Sequence, residues 1–204
     1  MTQGASIRDR VTACIPALQG WTSVEKGIRL AELVVEAGAE LSVELGVFGG
    51  RGVLSLAIGH ACLGRGHVVG IDPWIASASL EGENDPTNEA WWREVDHQAV
   101  YRDFLAAAER CSLLQQCWVM RERSDVAVKV FADRSVGVLH QDGNHSEAVS
   151  TREVELWAPK LARGGYWVAD DTDWRTTRAA QEALVGRGFA LVEDHESWRI
   201  YRAP

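Results

Sequence analysis

No apolar run in this 204-residue chain approaches the roughly 20 residues that a membrane-spanning helix needs, so no bilayer role is expected. Positive charge is also scarce. Lys and Arg total 21 against 29 Asp and Glu, a formal net charge of −8, which argues against a nucleic-acid partner because phosphate backbones are bound by clustered cations. The four cysteines (Cys14, Cys62, Cys111 and Cys117) form no Cys-x-x-Cys pair and have no histidine at zinc spacing. Reduced thiols and no zinc site are the expectation. The first ten residues contain neither a basic leader nor an apolar signal core, so a cytoplasmic location is expected. No repeat, low-complexity tract or linker divides the chain, so one soluble domain is expected over residues 1–204.

Tryptophan, by contrast, is abundant, with nine in the chain. Trp21, Trp118, Trp157, Trp167 and Trp198 are read as packing or covering the core. Trp74, Trp91, Trp92 and Trp174 fall in stretches read as loops, where an indole can stack on a ring of a ligand. Two helices, one within residues 1–20 and one over 24–37 ending at Gly38, precede the first strand. Strands at 41–46, 67–72, 116–121, 135–141 and 166–170 then alternate with helical stretches at 52–62, 98–109, 125–131, 146–161 and 175–185. Strands at 189–193 and 198–202 close the chain, near enough in sequence to form a hairpin. Such alternation predicts an α/β architecture: a doubly wound, seven-stranded, mostly parallel sheet with a short helical N-terminal cap. Residues 73–97 exceed a minimal connection and are read as a lid over a ligand.

Ligands of doubly wound sheets bind beyond the carboxyl ends of the strands, which directs attention to five stretches. Glu44 to Gly52 holds four glycines in seven residues, a turn through which backbone can closely approach a ligand. An acid just ahead of that turn suits a polar or cationic ligand better than a bare pyrophosphate, and this favours S-adenosylmethionine. Asp72, at the end of the second strand, is placed to accept ribose hydroxyls. Arg121 to Asp125, beyond the third strand, is another of these stretches.

Asp142 ends the fourth strand, and Asp170 with Asp171 end its expected neighbour. Three converging carboxylates repel one another unless a cation joins them, so Mg²⁺ is expected on Asp142, Asp170 and Asp171. His145 is the first candidate for a general base, with Asp142 beside it. The structural alternatives are Asp142 at the cofactor's amino group, Asp170 and Asp171 as helix caps, and His145 at the start of the following helix. His140, inside an apolar strand, is read as a satisfied core histidine. Trp91, Trp92, His97, His145 and Trp174 are the expected acceptor contacts.

Glu44-x-Gly46-x-Phe48-x-Gly50 resembles the first motif of class I S-adenosylmethionine methyltransferases, with Phe48 at the central glycine. Ile71-Asp72-Pro73-Trp74, Asp142-Gly143-Asn144-His145 and Gly164-Gly165 leading to Asp170-Asp171 are similar to a subgroup of them. That subgroup includes metal-dependent sugar O-methyltransferases of macrolide biosynthesis and relatives of the cephalosporin hydroxylase accessory protein. The resemblance implies a cofactor cradle of Glu44, Gly46, Phe48, Gly50, Asp72, Pro73 and Trp74, with Ser124 and Asp125 at the adenine amino group, and Mg²⁺ on the three aspartates. It also implies O-methylation of a small-molecule acceptor such as a sugar or aromatic natural product. A metal-free methyltransferase, a non-catalytic accessory protein and, more remotely, a nicotinamide dehydrogenase are the alternatives. A homodimer and a monomer are equally compatible with the sequence.

Overall fold

A computed structural model describes residues 5–83 and 86–204. Residues 1–4, in the expected N-terminal helix, and 84–85, in the expected lid, lie outside the described residues. Helices α1 (Ile7–Cys14) and α2 (Val24–Ala37) come first, followed by β1 (Leu41–Leu45), α3 (Arg51–Leu63) and β2 (His67–Ile71). The lid stretch contains α4 (Ala76–Ser79) and α5 (Pro86–Glu94), so it is helical where a loop was expected. Then come α6 (His97–Arg110), β3 (Cys117–Met120), α7 (Ser124–Ala127), β4 (Val136–Gln141), α8 (Glu147–Trp157), β5 (Leu161–Asp170), α9 (Arg178–Gly186), β6 (Ala190–Asp194) and β7 (Trp198–Arg202).

The strand order is β3-β2-β1-β4-β5-β7-β6. β7 runs antiparallel between β5 and β6, and the other pairings are parallel. The order reverses between β1 and β4, which opens the crevice in which such sheets take ligands. Side chains alternate between two cores: Val43, Leu45, Val69, Ile71 and Leu139 face α8 and α9, while Val68, Val138 and Val168 face α2, α3 and α6. No helix among the described residues is long and apolar enough to cross a membrane.

Local signals explain the helix that matters most to the site. Ser23 caps α2 by accepting from the Lys26 N–H, and Gly38 ends it in the left-handed conformation. Its buried face carries Ile28, Leu30, Leu33 and Val34, and also Lys26. α2 packs on α3 and reaches β4 and β5.

Two expectations are corrected by packing. Cys14 and Cys111 form a disulfide with Cα atoms 6.2 Å apart, while Cys62 and Cys117 are free thiols. Ninety-seven residues separate the pair, so only the tertiary approach of α1 to the end of α6 reveals it. Among the tryptophans, Trp157 and Trp167 are buried as expected, but Trp21 is 70% exposed and Trp118 is 55% exposed. Trp74, placed in a site loop by the sequence, is 1% exposed and packs on Tyr101 and Phe104.

Candidate active site

The glycine turn is held from below by Asp72. Its Oδ2 accepts the N–H groups of Val47 (3.0 Å) and Phe48 (2.9 Å), and its Oδ1 accepts that of Trp74 (2.6 Å). Asp72 was expected to meet ribose hydroxyls, yet its oxygens first organise the backbone around the cofactor crevice. Phe48 and Trp74 both have positive φ, 46° and 47°, a conformation that bulky residues avoid unless held there. Asp72 bonds to both of their amides. Gly46, at φ 81°, crosses over the Asp142 carbonyl, which a β-carbon there would strike. Gly50 caps α3 and packs on Phe104, away from the crevice.

Beyond the strand ends lies a cavity of about 620 Å³, within the roughly 300–1,000 Å³ typical of small-molecule sites. Glu44, Gly46, Phe48, Asp72 and Pro73 line it, as do Ser124, Asp142, His145, Asp170 and Asp171. Trp91, Trp92, His97 and Trp174 line it as well. Trp74 and Asp125 do not. Trp74 turns its indole N–H to the Phe48 carbonyl, and Asp125 pairs with Arg123 and Arg152 instead of facing adenine. The sequence reading missed Trp21, which joins Phe48, Trp91 and Trp92 in an aromatic wall with centroids 4.7–6.3 Å apart. The Asn144 amide donates to the carbonyls of Ala78, Ser79 and Glu81, tying α4 down beside the loop from Asp142 to His145.

Glu44 and His140 are register partners on β1 and β4 and share a 2.6 Å hydrogen bond between Oε1 and Nδ1. Burial pushes Glu44 up and His140 down, each toward its uncharged form. Glu44 Oε2 and His140 Nε2 have no hydrogen-bond partner. His140 is therefore not the satisfied core residue its apolar strand suggested. Glu44 was expected to touch the cofactor, yet one of its oxygens is committed to His140 beneath Gly52.

The aspartates do converge, but a lysine has joined them. Lys26 Nζ lies 2.6 Å from Asp170 Oδ2. Burial alone would raise Asp170, but Lys26 and a bond from Asp142 outweigh it and hold the carboxyl well below its usual range. Burial and the Asp170 charge push Asp142 up. Burial also raises Asp171, opposed by His145, whose Nε2 is 3.1 Å from Asp171 Oδ2 and 3.8 Å from Asp142 Oδ1.

Among the described residues, the group whose ligand atoms lie within 4.8 Å of one another is Glu44, His140 and Asp142, not the three aspartates. Two of its members are already bonded to each other, and a nitrogen donor suits transition metals better than Mg²⁺. The expected three-aspartate Mg²⁺ site fits poorly, since one oxygen of Asp170 is taken by an ammonium.

Glu153 of α8 also escaped the sequence reading, although it lines the cavity. It accepts from Ser124 Oγ (2.7 Å) and Gln141 Nε2 (3.0 Å). Burial, opposed by those bonds, pushes its carboxyl up from 4.5 to about 7. A carboxyl raised in this way stabilises the fold fully below its unfolded pKa and loses that contribution as pH climbs through about 7. From about pH 4.5 to 8, wild type is expected to lose up to about 3 kcal/mol of unfolding free energy relative to Glu153→Gln. Denaturant titrations across that range check this; a pH-independent difference would refute it.

A doubly wound sheet with one antiparallel strand, a glycine turn locked by an acid, and carboxylates at the neighbouring strand ends define a class I methyltransferase architecture. Residues 43–172 match the methyltransferase domain family, and the chain belongs to that family. It is an S-adenosylmethionine-dependent methyltransferase. No curated protein matches the chain. Similar solved structures share its fold at low identity. The O-methyltransferase NovP has a TM-score of 0.66 at 16% identity, covering 90% of this chain and 82% of its own. Cofactor-bound Rv0187 from MTB has 0.62 at 15%, covering 97% and 86%. The S-adenosylhomocysteine-bound methyltransferase PaMTH1 of Podospora anserina has 0.62 at 10%, covering 90% and 80%.

Proposed function

We propose that this enzyme methylates a hydroxyl oxygen of a small molecule held between the aromatic wall and the loop from Asp142 to His145. The observation that carries this reading is His145, lining the cavity with its Nε2 against Asp171 and close to Asp142. S-adenosylmethionine supplies an electrophilic sulfonium methyl when bound. Glu44, Gly46, Phe48, Asp72, Pro73 and Ser124 are the cradle residues that line the cavity beside the glycine turn.

In this reading Asp171 orients the imidazole, and His145 accepts the proton as the acceptor oxygen attacks, as in other carboxylate-histidine pairs. In-line transfer needs little more than alignment and exclusion of water. Trp91, Trp92 and Trp174 would provide both by stacking on the acceptor, with His97 beside them. A planar or ring-bearing acceptor, sugar or aromatic, suits such walls. Mg²⁺ would have to share Asp170 with Lys26 and Asp171 with His145, which argues against its participation.

Calorimetry with S-adenosylhomocysteine, followed by incubation of the enzyme and S-adenosylmethionine with hydroxylated acceptors, tests the reading. Cofactor binding and a product one methylene heavier on oxygen are expected by mass spectrometry. Failure to bind the cofactor, or methylation on nitrogen alone, would overturn it.

A further inference from the structure

Among the described residues, Lys26 is the only lysine or arginine in the buried class, at 3% exposed. An ammonium taken out of water is costly unless a counter-charge meets it. Its place in the chain adds to the cost, because the first turn of a helix disfavours cations and Lys26 lies three residues past the Ser23 cap. Neither helix propensity nor packing accounts for a lysine there. The charge does.

Its Nζ faces Asp170 Oδ2 at 2.6 Å, an ion pair that brings a positive charge into the cluster. Asp170 in turn adjoins Asp142 and Asp171, the carboxylates that face His145. A Mg²⁺ bound through the same Asp170 oxygen at about 2.1 Å would lie within about 5 Å of the ammonium. Two cations at that spacing in a dry site repel strongly. One cation is already built in.

We propose that Lys26 supplies the positive charge of the aspartate cluster in place of a divalent cation, leaving the transferase metal-independent. Asp170 is its counter-ion, and Asp142 and Asp171 remain turned to the acceptor. Lys26 is thus a positioning residue that reaches the reaction through Asp170. The inference rests on the cavity being the transfer site, as proposed above.

Binding of Mn²⁺, read by electron paramagnetic resonance on the cofactor-loaded protein, tests this without reference to turnover. The wild type is expected to show no Mn²⁺ site tighter than millimolar. Its rate with any accepted substrate should be unchanged by exhaustive chelation. Lys26→Met keeps the side chain's bulk but removes its charge, and should bind Mn²⁺ at least about tenfold more tightly. Adding Asp142→Asn should abolish that gain. A wild-type Mn²⁺ site lost in Asp142→Asn, or turnover stopped by chelator and restored by Mg²⁺, would overturn the proposal. So would a folded Lys26→Met that gains no affinity for Mn²⁺. If Lys26→Met does not fold, the wild-type measurement still decides, and Lys26→Arg should match it. Calorimetry with S-adenosylhomocysteine on the same samples separates the two claims. A wild type that binds no cofactor sinks the functional reading, whereas Mn²⁺ uptake sinks only the lysine.

Discussion

Asp72→Asn is expected to weaken S-adenosylhomocysteine binding by at least about 100-fold and to destabilise the fold by about 2–4 kcal/mol. The carboxylate accepts three backbone N–H groups, two on one oxygen and one on the other. Asparagine keeps one acceptor and turns an NH₂ toward a donor, leaving at least one amide opposed by another N–H. Hydrogen bonds to a charged acceptor contribute about 1.5–3 kcal/mol each, and those at Phe48 and Trp74 also hold positive-φ residues in place. Once released, that backbone would no longer present the cradle in one shape. Calorimetric titration and denaturant unfolding measure the two effects. Near-native affinity in the asparagine variant would show that the turn is held by something else.

His145→Ala is expected to lower kcat by about 10²–10⁴-fold while leaving S-adenosylhomocysteine affinity within about twofold. The effect on rate follows from removing the group proposed to take the acceptor's proton. The small effect on binding follows because the cofactor turn is organised by Asp72, on a different strand end. Single-turnover rates paired with calorimetry would separate the two. Equal loss of rate and cofactor affinity would move His145 from proton transfer to cofactor binding.

Much of the architecture was legible because its signals are local. The 3.6-residue stripe and the Ser23 and Gly38 stops marked α2. The short apolar runs marked seven strands, and the brief gap between the last two predicted the antiparallel pair. The glycine turn and the acids at the strand ends pointed to the cavity that gathers Glu44, Asp72, Asp142, His145, Asp170 and Asp171. One further signal was readable and passed over. Lys26 lies four residues before Leu30 on the buried stripe of α2, where a charge is out of place.

Residue types and their spacing along the chain therefore determined the elements, their alternation and the class of chemistry, because strand and helix periods follow from near neighbours in sequence. Which partner each functional group meets was decided only by tertiary packing. Lys26 reaches Asp170 across 144 positions, Cys14 meets Cys111 across 97, and Trp21 joins Trp91 and Trp92 from a distant stretch of the chain. Charge and aromatic contacts act over a few ångströms, and no pattern within a single segment records which distant segment will come that close.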